Sequence, residues 1–386
     1  MIYSSVLFCP RCGNSDPRYI GYKNGMPYCR ACIGFQGRKA DIGFCVNRNV
    51  SLELKYPLSE KQKEISDSVV YALSCRKNVL IHAVTGAGKT ELVYRAMEET
   101  LKKGGHVGFA TPRKDVVIDL LPRIEEAFPR ARVIAVYGEH NSKLEGDIIT
   151  LTTHQLYRYE SFFDLLILDE IDAFPYKGSV VLESFFRKSI RGNYVLLSAT
   201  PSKEDIEKIK KDNGVILSLY ERYHHAPLPE PIIRQVSWLS SYYTVYRLLK
   251  ELLDENKPVF VFVPTIAIGY RLYCFLKLFL QDGSFVSSEE STRRIDIEKF
   301  KNGDLKYLVT TSILERGVTV RNLQVIVYNA DHELYDSAAL VQIAGRVGRK
   351  IDAKTGNVYF LGEEVTDQMK KAKEEIHEYN KKAGLL

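Results

Sequence analysis

The segment Ala83–Thr90, which reads Ala-Val-Thr-Gly-Ala-Gly-Lys-Thr, constrains the fold of this chain more than any other stretch. It follows an apolar run, Asn78–His82, that predicts a buried strand, and it precedes Glu91–Met97, which predicts a helix. A glycine-rich turn that ends in Lys-Thr between a strand and a helix is typical of a phosphate-binding loop. The sequence therefore predicts an α/β domain that binds a nucleotide.

The residues of this loop have separate predicted roles. Gly86 and Gly88 let the backbone approach phosphate oxygens, while Lys89 can reach the β- and γ-phosphates and the Thr90 hydroxyl can bind Mg²⁺. Ala83 replaces the usual leading glycine, so a glycine turn before an ordinary helix is the alternative. The combination of strand, glycines, Lys-Thr and helix favours a nucleotide site. The predicted nucleotide-binding residues of the loop are Thr85, Gly86, Ala87, Gly88, Lys89 and Thr90.

The composition limits the number of domains and the class of protein only broadly. A chain of 386 residues with 45% hydrophobic and 26% charged residues is long enough for two or three globular domains. Its net charge of +6 permits a nucleic-acid partner without arguing for one. The start of the chain has no secretory pattern, and the most apolar region, Val259–Leu280, is interrupted by Pro264, Arg271 and Lys277. We therefore expect a soluble, cytoplasmic chain, with peripheral membrane association left open.

Four of the seven cysteines form two Cys-x-x-Cys pairs, Cys9 with Cys12 and Cys29 with Cys32. In a cytosolic protein, this pairing indicates a metal site rather than disulfides. Two such pairs give a tetrahedral four-thiolate site, which favours structural zinc, with an iron–sulfur cluster as the alternative. The aromatic and basic residues around the cysteines fit either a nucleic-acid platform or solvated loops packed on the metal site.

Beyond the phosphate-binding loop, apolar strands alternate with amphipathic helices, which predicts a parallel sheet covered on both faces. Two of these strands run into polar motifs: Leu165–Leu168 into Asp169–Asp172, and Tyr194–Leu197 into Ser198–Thr200. Functional residues gather at the carboxyl ends of parallel strands. Asp169 can hold Mg²⁺, and Glu170 can orient or deprotonate the attacking water.

A proline-rich stretch separates a second alternating unit from the first, since Pro227, Pro229 and Pro231 predict a stiff, extended linker. The expected organisation is a cysteine module at 1–50, a first domain at 51–225, a linker at 226–233 and a second domain at 234–386.

The second domain has a predicted helix that carries Gln342–Arg349. Arg346 and Arg349 are three residues apart, which would place them on one helical face as arginine fingers toward a phosphate. The alternative is two surface arginines, but the flanking Gly345 and Gly348 favour a close approach of the backbone to another group.

Together, these motifs resemble the superfamily two helicases and occur in that superfamily's order. The resemblance covers residues 55–365 and implies two tandem RecA-like domains with parallel sheets, preceded by the small four-cysteine zinc-binding module, with ATP between the two domains. The motifs that carry it are Gln62, Ala83–Thr90, Ala110–Arg113, Thr152–Gln155, Asp169–Asp172, Ser198–Thr200, Thr310–Thr319 and Gln342–Arg349.

The resemblance also implies roles for single residues. Gln62 would read the adenine, and Gly317 would join the nucleotide-binding residues. Arg346 and Arg349 would act in trans on the phosphates. Residues that couple nucleotide state to the strand would be Ser198, Ala199, Thr200 and Gln342. Residues along the nucleic-acid path would be Thr111, Arg113, Thr153, His154, Thr265 and Thr311.

Within that superfamily, the chain resembles the ComFA competence ATPases of Gram-positive bacteria. The similarity rests on Cys29–Ile33 followed by Gly37-Arg38, on Thr152–Tyr157, and on Leu314–Thr319. It implies an ATP-driven translocase on single-stranded DNA that serves DNA uptake in transformation. It also implies ComEC and ComFC as partners and leaves oligomerisation open. The alternatives are a DNA-remodelling helicase of the PriA type, or a nucleotide-switched adaptor without turnover.

Overall fold

The computed structural model describes residues 8–287, 293–311 and 320–386. The chain divides into two compact units. The first comprises Met1–Ala83 and Gly88–Leu219, and the second comprises Val84–Ala87 and Tyr220–Leu386. Each unit is built on a parallel sheet, which confirms the α/β class predicted from the alternation of strands and helices. Among the described residues, no helix combines enough length and apolar character to cross a membrane.

The cysteine module begins the first unit. It contains a two-stranded antiparallel hairpin, β1 (Ile20–Lys23) and β2 (Met26–Cys29). Three of its cysteines, Cys9, Cys12 and Cys32, belong to the same buried cluster as Phe163 and Phe185 of the following α/β fold. The module therefore shares its core with the first α/β domain, as expected for a segment too short to bury a core alone.

Seven parallel strands form the sheet of the first unit, in the order β5-β6-β4-β7-β8-β3-β9. Their bounds are β3 (Val79–Ala83), β4 (Val107–Thr111), β5 (Val133–Val136), β6 (Ile148–Thr152), β7 (Phe163–Asp169), β8 (Ile190–Ser198) and β9 (Val215–Leu219). Leu165–Leu168 in β7 is buried on both faces, as its uninterrupted apolar run predicts.

Helices cover the two faces of this sheet. They are α1 (Glu60–Ser74), α2 (Lys89–Leu92), α3 (Tyr94–Lys102), α4 (Lys114–Ala127), α5 (Val180–Ser189) and α6 (Lys203–Lys211), with a 3-10 helix at Thr153–Arg158. The predicted helix at Glu91–Met97 is divided at Val93, whose backbone (φ −100°, ψ −7°) ends α2 before α3 begins.

The second unit has six parallel strands in the order β10-β15-β14-β11-β13-β12. Their bounds are β10 (Ile232–Gln235), β11 (Val259–Phe262), β12 (Gly283–Val286), β13 (Tyr307–Thr310), β14 (Gln324–Tyr328) and β15 (Val358–Gly362). The helices are α7 (Ser241–Asp254), α8 (Ile266–Lys277), α9 (Arg293–Asn302), α10 (Ser337–Ala344) and α11 (Asp367–Lys382). The unit begins at Tyr220, ahead of the stretch 226–233, and β10 starts inside that stretch.

Candidate nucleotide-binding and metal sites

Three neighbouring strands of the first sheet end in the predicted nucleotide-handling motifs. β7, β8 and β3 are adjacent and parallel, so their carboxyl ends lie at one edge of the sheet. Asp169 ends β7, Ser198 ends β8, and the phosphate-binding loop follows β3. The fold therefore brings three motifs that are far apart in sequence to one edge, which is where α/β sheets bind ligands.

The phosphate-binding loop has the backbone that its glycines predict. Gly86 and Gly88 have φ values of +83° and +77°, in the left-handed region that favours glycine. Gly88 is the N-cap of α2, which Lys89 begins, and Thr90 is buried in the first turn. Within the loop, the Ala87 N–H donates to the Val84 carbonyl over 3.2 Å, and the Thr85 side chain is largely buried.

Gln62 lies against this loop. Its Nε2 atom is 2.6 Å from the position that a Cβ on Gly88 would occupy, so a side chain at position 88 would collide with the amide. The Gln62 Oε1 atom accepts the Ser59 N–H over 2.9 Å and closes a capping box at the start of α1. The predicted adenine-reading role of Gln62 stays a prediction, but its place beside the loop is the one such a role requires.

The acidic motif is held by hydrogen bonds to its neighbours. Asp169 Oδ1 accepts the Glu170 N–H over 2.8 Å. Glu170 has a φ of +58°, which is uncommon for a residue other than glycine and marks a backbone fixed by its surroundings. Asp172 Oδ2 accepts the Thr200 hydroxyl over 2.8 Å, which connects the end of β7 to the end of β8.

The Ser198–Thr200 motif has two further contacts. The Thr200 N–H donates to the Ser198 hydroxyl over 3.0 Å. His82 Nε2, on β3, lies 3.1 Å from the Ala199 carbonyl oxygen. These contacts and the Asp172 bond join all three strand ends.

The residues predicted along a nucleic-acid path lie in different environments. Thr111 and Thr153 have fully buried side chains, while His154 is partly buried, and burial lowers the pKa of its imidazole. Arg113 precedes α4 as its N-cap residue.

In the second unit, the Thr265 hydroxyl caps α8 by accepting the Ile268 N–H over 3.3 Å, and Thr311 is buried. Nucleic-acid contact by these residues stays a prediction, and Gly317 lies outside the described residues.

The four paired cysteines converge on one point. The Sγ atoms of Cys9, Cys12, Cys29 and Cys32 all lie within 4.8 Å of one another. Burial raises the pKa of Cys12 to about 11 and also raises the pKa of Cys32, whereas hydrogen bonds from the Cys12 and Arg11 N–H groups outweigh burial and lower the pKa of Cys9 to about 7. Four thiols this close ionise together only around a cation, so the cluster fits a tetrahedral thiolate metal site.

The arginine motif of the second unit corrects a prediction. Helix α10 ends at Ala344 with Gly345 as its C-cap, so Arg346 and Arg349 lie in the turn that follows and not on one helical face. Gly348 has a φ of +69°, and a Cβ there would lie 2.3 Å from the Lys354 carbonyl oxygen. The close approach predicted at the glycines is therefore present, whereas the predicted helix through Arg349 ends at Ala344. The Arg346 side chain is buried, and Arg349 Nε donates to the Gly345 carbonyl over 3.1 Å.

Arg222 holds the backbone of this turn and was missed by sequence reasoning. Its side chain is 1% exposed. Nη1 donates to the Val347 and Gly348 carbonyls over 2.9 and 3.0 Å, and Nη2 donates to the Gly345 carbonyl over 3.2 Å. Burial and the nearby Arg349 lower its pKa to about 9. A buried arginine that binds three carbonyls after a helix C-terminus fixes the turn that carries the two arginines.

The two residues after Arg222 bind the same turn. His224 Nε2 lies 2.7 Å from the Gly348 carbonyl oxygen, and the Tyr223 hydroxyl donates to the Arg349 carbonyl over 2.9 Å. We refer to Arg222–His224 as the turn-binding segment.

Comparison with known proteins places these sites in a family. Residues 55–203 match the family described as "Type III restriction enzyme, res subunit", and residues 244–350 match "Helicase conserved C-terminal domain". The chain is 36% identical to competence protein ComFA of Bacillus subtilis, over 97% of this chain and 86% of the relative. It is 33% identical to ComFA of Streptococcus pneumoniae, over 98% and 91% of the two chains. The chain belongs to the ComFA family.

More distant relatives are similar to parts of the two α/β domains. Replication restart protein PriA of Rickettsia conorii is 27% identical over 59% of this chain and 39% of its own length. Among solved structures, S. cerevisiae Dbp5 bound to RNA and ADP BeF3 aligns with a TM-score of 0.64 at 16% identity, over 85% of this chain and 92% of that one. The DUF1998 helicase MrfA bound to DNA aligns with a TM-score of 0.59 at 15% identity, over 87% and 52%.

These likenesses confirm two tandem RecA-like domains preceded by a four-cysteine group. The family and domain matches make the chain a helicase-class ATPase of a competence-protein family, and such domains imply a nucleotide with Mg²⁺.

Proposed function

We propose that this ComFA-family protein is a motor that moves along single-stranded DNA and draws transforming DNA into the cell. The observation that carries the proposal is the single sheet edge at which the phosphate-binding loop, Asp169–Asp172 and Ser198–Thr200 meet. A nucleotide-driven mechanical cycle needs residues that bind the phosphates, the metal and the attacking water close together. It also needs contacts between these residues, which the hydrogen bonds between the strand ends supply.

The residues at this edge bind the phosphates, the metal and the attacking water. Gly86 and Gly88 receive the phosphates, Lys89 pairs with the β- and γ-phosphates, and Thr90 with Asp169 holds Mg²⁺. Mg²⁺ held by Thr90 and Asp169 would supply positive charge next to the phosphate oxygens. Glu170 orients the attacking water and accepts its proton.

The remaining roles concern response to the nucleotide. Gln62 selects adenine, and Arg346 with Arg349 stabilises the transition-state charge. Ser198–Thr200 and Gln342 report nucleotide state to the strand-binding residues, which we propose include Arg113 and His154.

The substrate is tested by measuring ATPase rate against single-stranded DNA, double-stranded DNA, single-stranded RNA and double-stranded RNA at one stated salt concentration, since nucleic-acid affinity depends steeply on salt. We expect single-stranded DNA to stimulate most. Stimulation by double-stranded RNA without stimulation by single-stranded DNA would refute the substrate. Strand displacement on forked DNA without translocation would favour the PriA-type alternative, and binding of ATP without turnover would favour the adaptor.

Glu170→Gln separates hydrolysis from binding. The amide keeps the shape of the side chain and removes its basicity, so hydrolysis should slow by about 100-fold or more, while ATP affinity stays near that of the wild type. Phosphate release and fluorescent-nucleotide titration measure the two quantities. A variant that hydrolyses ATP at the wild-type rate would show that Glu170 is not the base.

We propose zinc as the metal of the four-cysteine site, because four converging thiolates favour it. Cys29→Ser should lower zinc to well below one equivalent and cost several kcal/mol of stability, since structural zinc contributes folding energy directly. Cys45→Ser is the matched control, because Cys45 is exposed and outside the cluster. Full zinc and full stability in Cys29→Ser would contradict a four-ligand site.

We also propose ComEC and ComFC as partners and a peripheral position at the inner face of the membrane. At that position, the protein would bind the transforming DNA strand as the strand enters the cell. We expect the protein to co-purify with both partners from competent cells. If it co-purifies with neither, the partner assignment is wrong, while the proposed ATPase activity is unaffected.

A further inference from the structure

The segment that follows Cys32 is bound along the 3-10 helix Thr153–Arg158 of the first α/β domain. The Tyr157 hydroxyl donates to the Gln36 carbonyl over 2.7 Å. Arg158 Nη1 donates to the Arg38 carbonyl over 2.8 Å, and the Ala40 N–H donates to the Arg158 carbonyl over 3.0 Å. Residues 36–40 are therefore fixed to the helix by both of its last two residues.

Phe35 fills the space between this segment and the motor domain. Its ring stacks on the His154 imidazole with centroids 6.1 Å apart and planes inclined by 17°. The same ring meets Tyr157 and Phe185 edge-on, with centroids 5.7 and 5.0 Å away. Aromatic contacts of this geometry are favourable beyond the apolar area they bury. Three rings of the motor domain thus surround one ring of the cysteine module.

Phe35 is also tied to the metal site. Its N–H donates to the Cys32 carbonyl over 3.1 Å, so the turn that presents Cys32 also places Phe35. Lys188, on α5, donates to the Arg11 carbonyl over 3.0 Å and also binds the Pro10 carbonyl, within the other cysteine pair. The geometry of both cysteine pairs is therefore transmitted to the motor domain, and the path through Phe35 ends on His154.

We propose that Phe35 is a positioning residue that holds His154 in the orientation required for the nucleic-acid strand, so that metal binding by the cysteines sets the affinity of the motor for DNA. This inference rests on the proposed function, in which His154 faces the strand. Single-stranded nucleic acid is bound through bases and backbone on rigid platforms, and a ring stacked on the imidazole supplies that rigidity. The module would then act through the motor domain and not as an independent DNA-binding finger.

Phe35→Ala tests the inference in the full-length, zinc-loaded protein. We expect its affinity for a fluorescent single-stranded oligonucleotide to fall roughly fivefold, the size of one lost aromatic contact, while zinc content and the DNA-free ATPase rate stay near wild type. Phe35→Tyr keeps the ring and should restore the affinity.

Phe44→Ala is the matched control. Phe44 is another partly buried ring of the first fifty residues, but it packs on His106 at the amino end of β4, whereas the 3-10 helix that carries His154 follows the carboxyl end of the parallel strand β6. It should lower stability without lowering DNA affinity. Equal DNA affinity in Phe35→Ala, Phe44→Ala and the wild type would overturn the inference.

A second measurement separates this inference from the proposed function. The His154 ring resonance, assigned with His154→Gln in protein labelled at histidine, should shift when zinc is removed from the wild type. In Phe35→Ala that response should be lost. If the wild type fails to bind single-stranded DNA, the proposed function is wrong. The response of the His154 resonance to zinc removal would still show whether Phe35 positions His154. An unchanged resonance on zinc removal would overturn the positioning role.

Discussion

The sheet edge that carries the predicted nucleotide-handling motifs and the arginine turn of the second unit hold their residues in different ways. At the edge, Asp169, Ser198 and the phosphate-binding loop are placed by three adjacent strands of one sheet. In the turn, Arg346 and Arg349 follow a helix that has already ended, and side chains of the turn-binding segment fix the backbone. The edge is positioned by regular structure, whereas the turn depends on a few side chains distant in sequence.

The largest expected effect comes from removing a charge that the edge presents. Lys89→Ala deletes the ammonium group assigned to the β- and γ-phosphates while leaving the sheet intact. The ATPase rate should therefore fall by about 100-fold or more with little change in melting temperature. A phosphate-release assay and a thermal melt measure the two effects. Lys63→Ala, an exposed position on α1, is the control, and a Lys89→Ala variant with near-normal turnover would remove the loop from the reaction.

The sequence predicted the edge well because its signals are local. Buried parallel strands are continuous apolar runs, and the motifs follow the runs directly. The strands predicted at Asn78–His82, Leu165–Leu168 and Tyr194–Leu197 correspond to β3 (Val79–Ala83), β7 (Phe163–Asp169) and β8 (Ile190–Ser198). The cysteine spacing likewise predicted one converging cluster, since a Cys-x-x-Cys turn carries its geometry with it.

The turn could not be predicted in the same way. Spacing of three residues fits both a helical face and a turn, and Gly345 and Gly348 were interpreted as close-approach residues although they also end the helix. Arg222 lies 123 residues from Gly345, so no local pattern joins them. The packing of Phe35 on His154 is equally non-local. Such contacts arise from tertiary packing, which local periodicity does not encode.

Arg222→Met tests whether the turn depends on side chains. It removes three hydrogen bonds and leaves the carbonyls of Gly345, Val347 and Gly348 without that donor, which should cost about 1–3 kcal/mol of stability. A displaced turn should lower kcat roughly tenfold while the KM for ATP changes little. Steady-state kinetics and chemical denaturation measure these effects.

Two further variants show whether the effect of Arg222→Met is specific to the guanidinium group. Arg222→Lys keeps the charge but lacks the planar fork that reaches several carbonyls, so it should resemble Arg222→Met. Arg321→Met is the control, because Arg321 is exposed and pairs only with Asp352 among the contacts described here. A loss of stability without a loss of kcat would show that the turn functions without being held by Arg222.

The smallest expected effect concerns a single bond at the edge. Thr200→Val keeps the side-chain shape and removes the hydroxyl that donates to Asp172, at a cost of about 1 kcal/mol. Since the sheet still positions both strand ends, the DNA-free ATPase rate should change by no more than about twofold. The stimulation by DNA should fall further, because the bond joins the acidic motif to the coupling motif. Thr200→Ser should restore it, and Thr244→Val is the control, because the Thr244 hydroxyl donates to the Ser240 carbonyl in a partly buried part of α7. If DNA stimulation survives Thr200→Val unchanged, the edge is coupled through the backbone of its strands alone, and the contrast with the arginine turn becomes sharper.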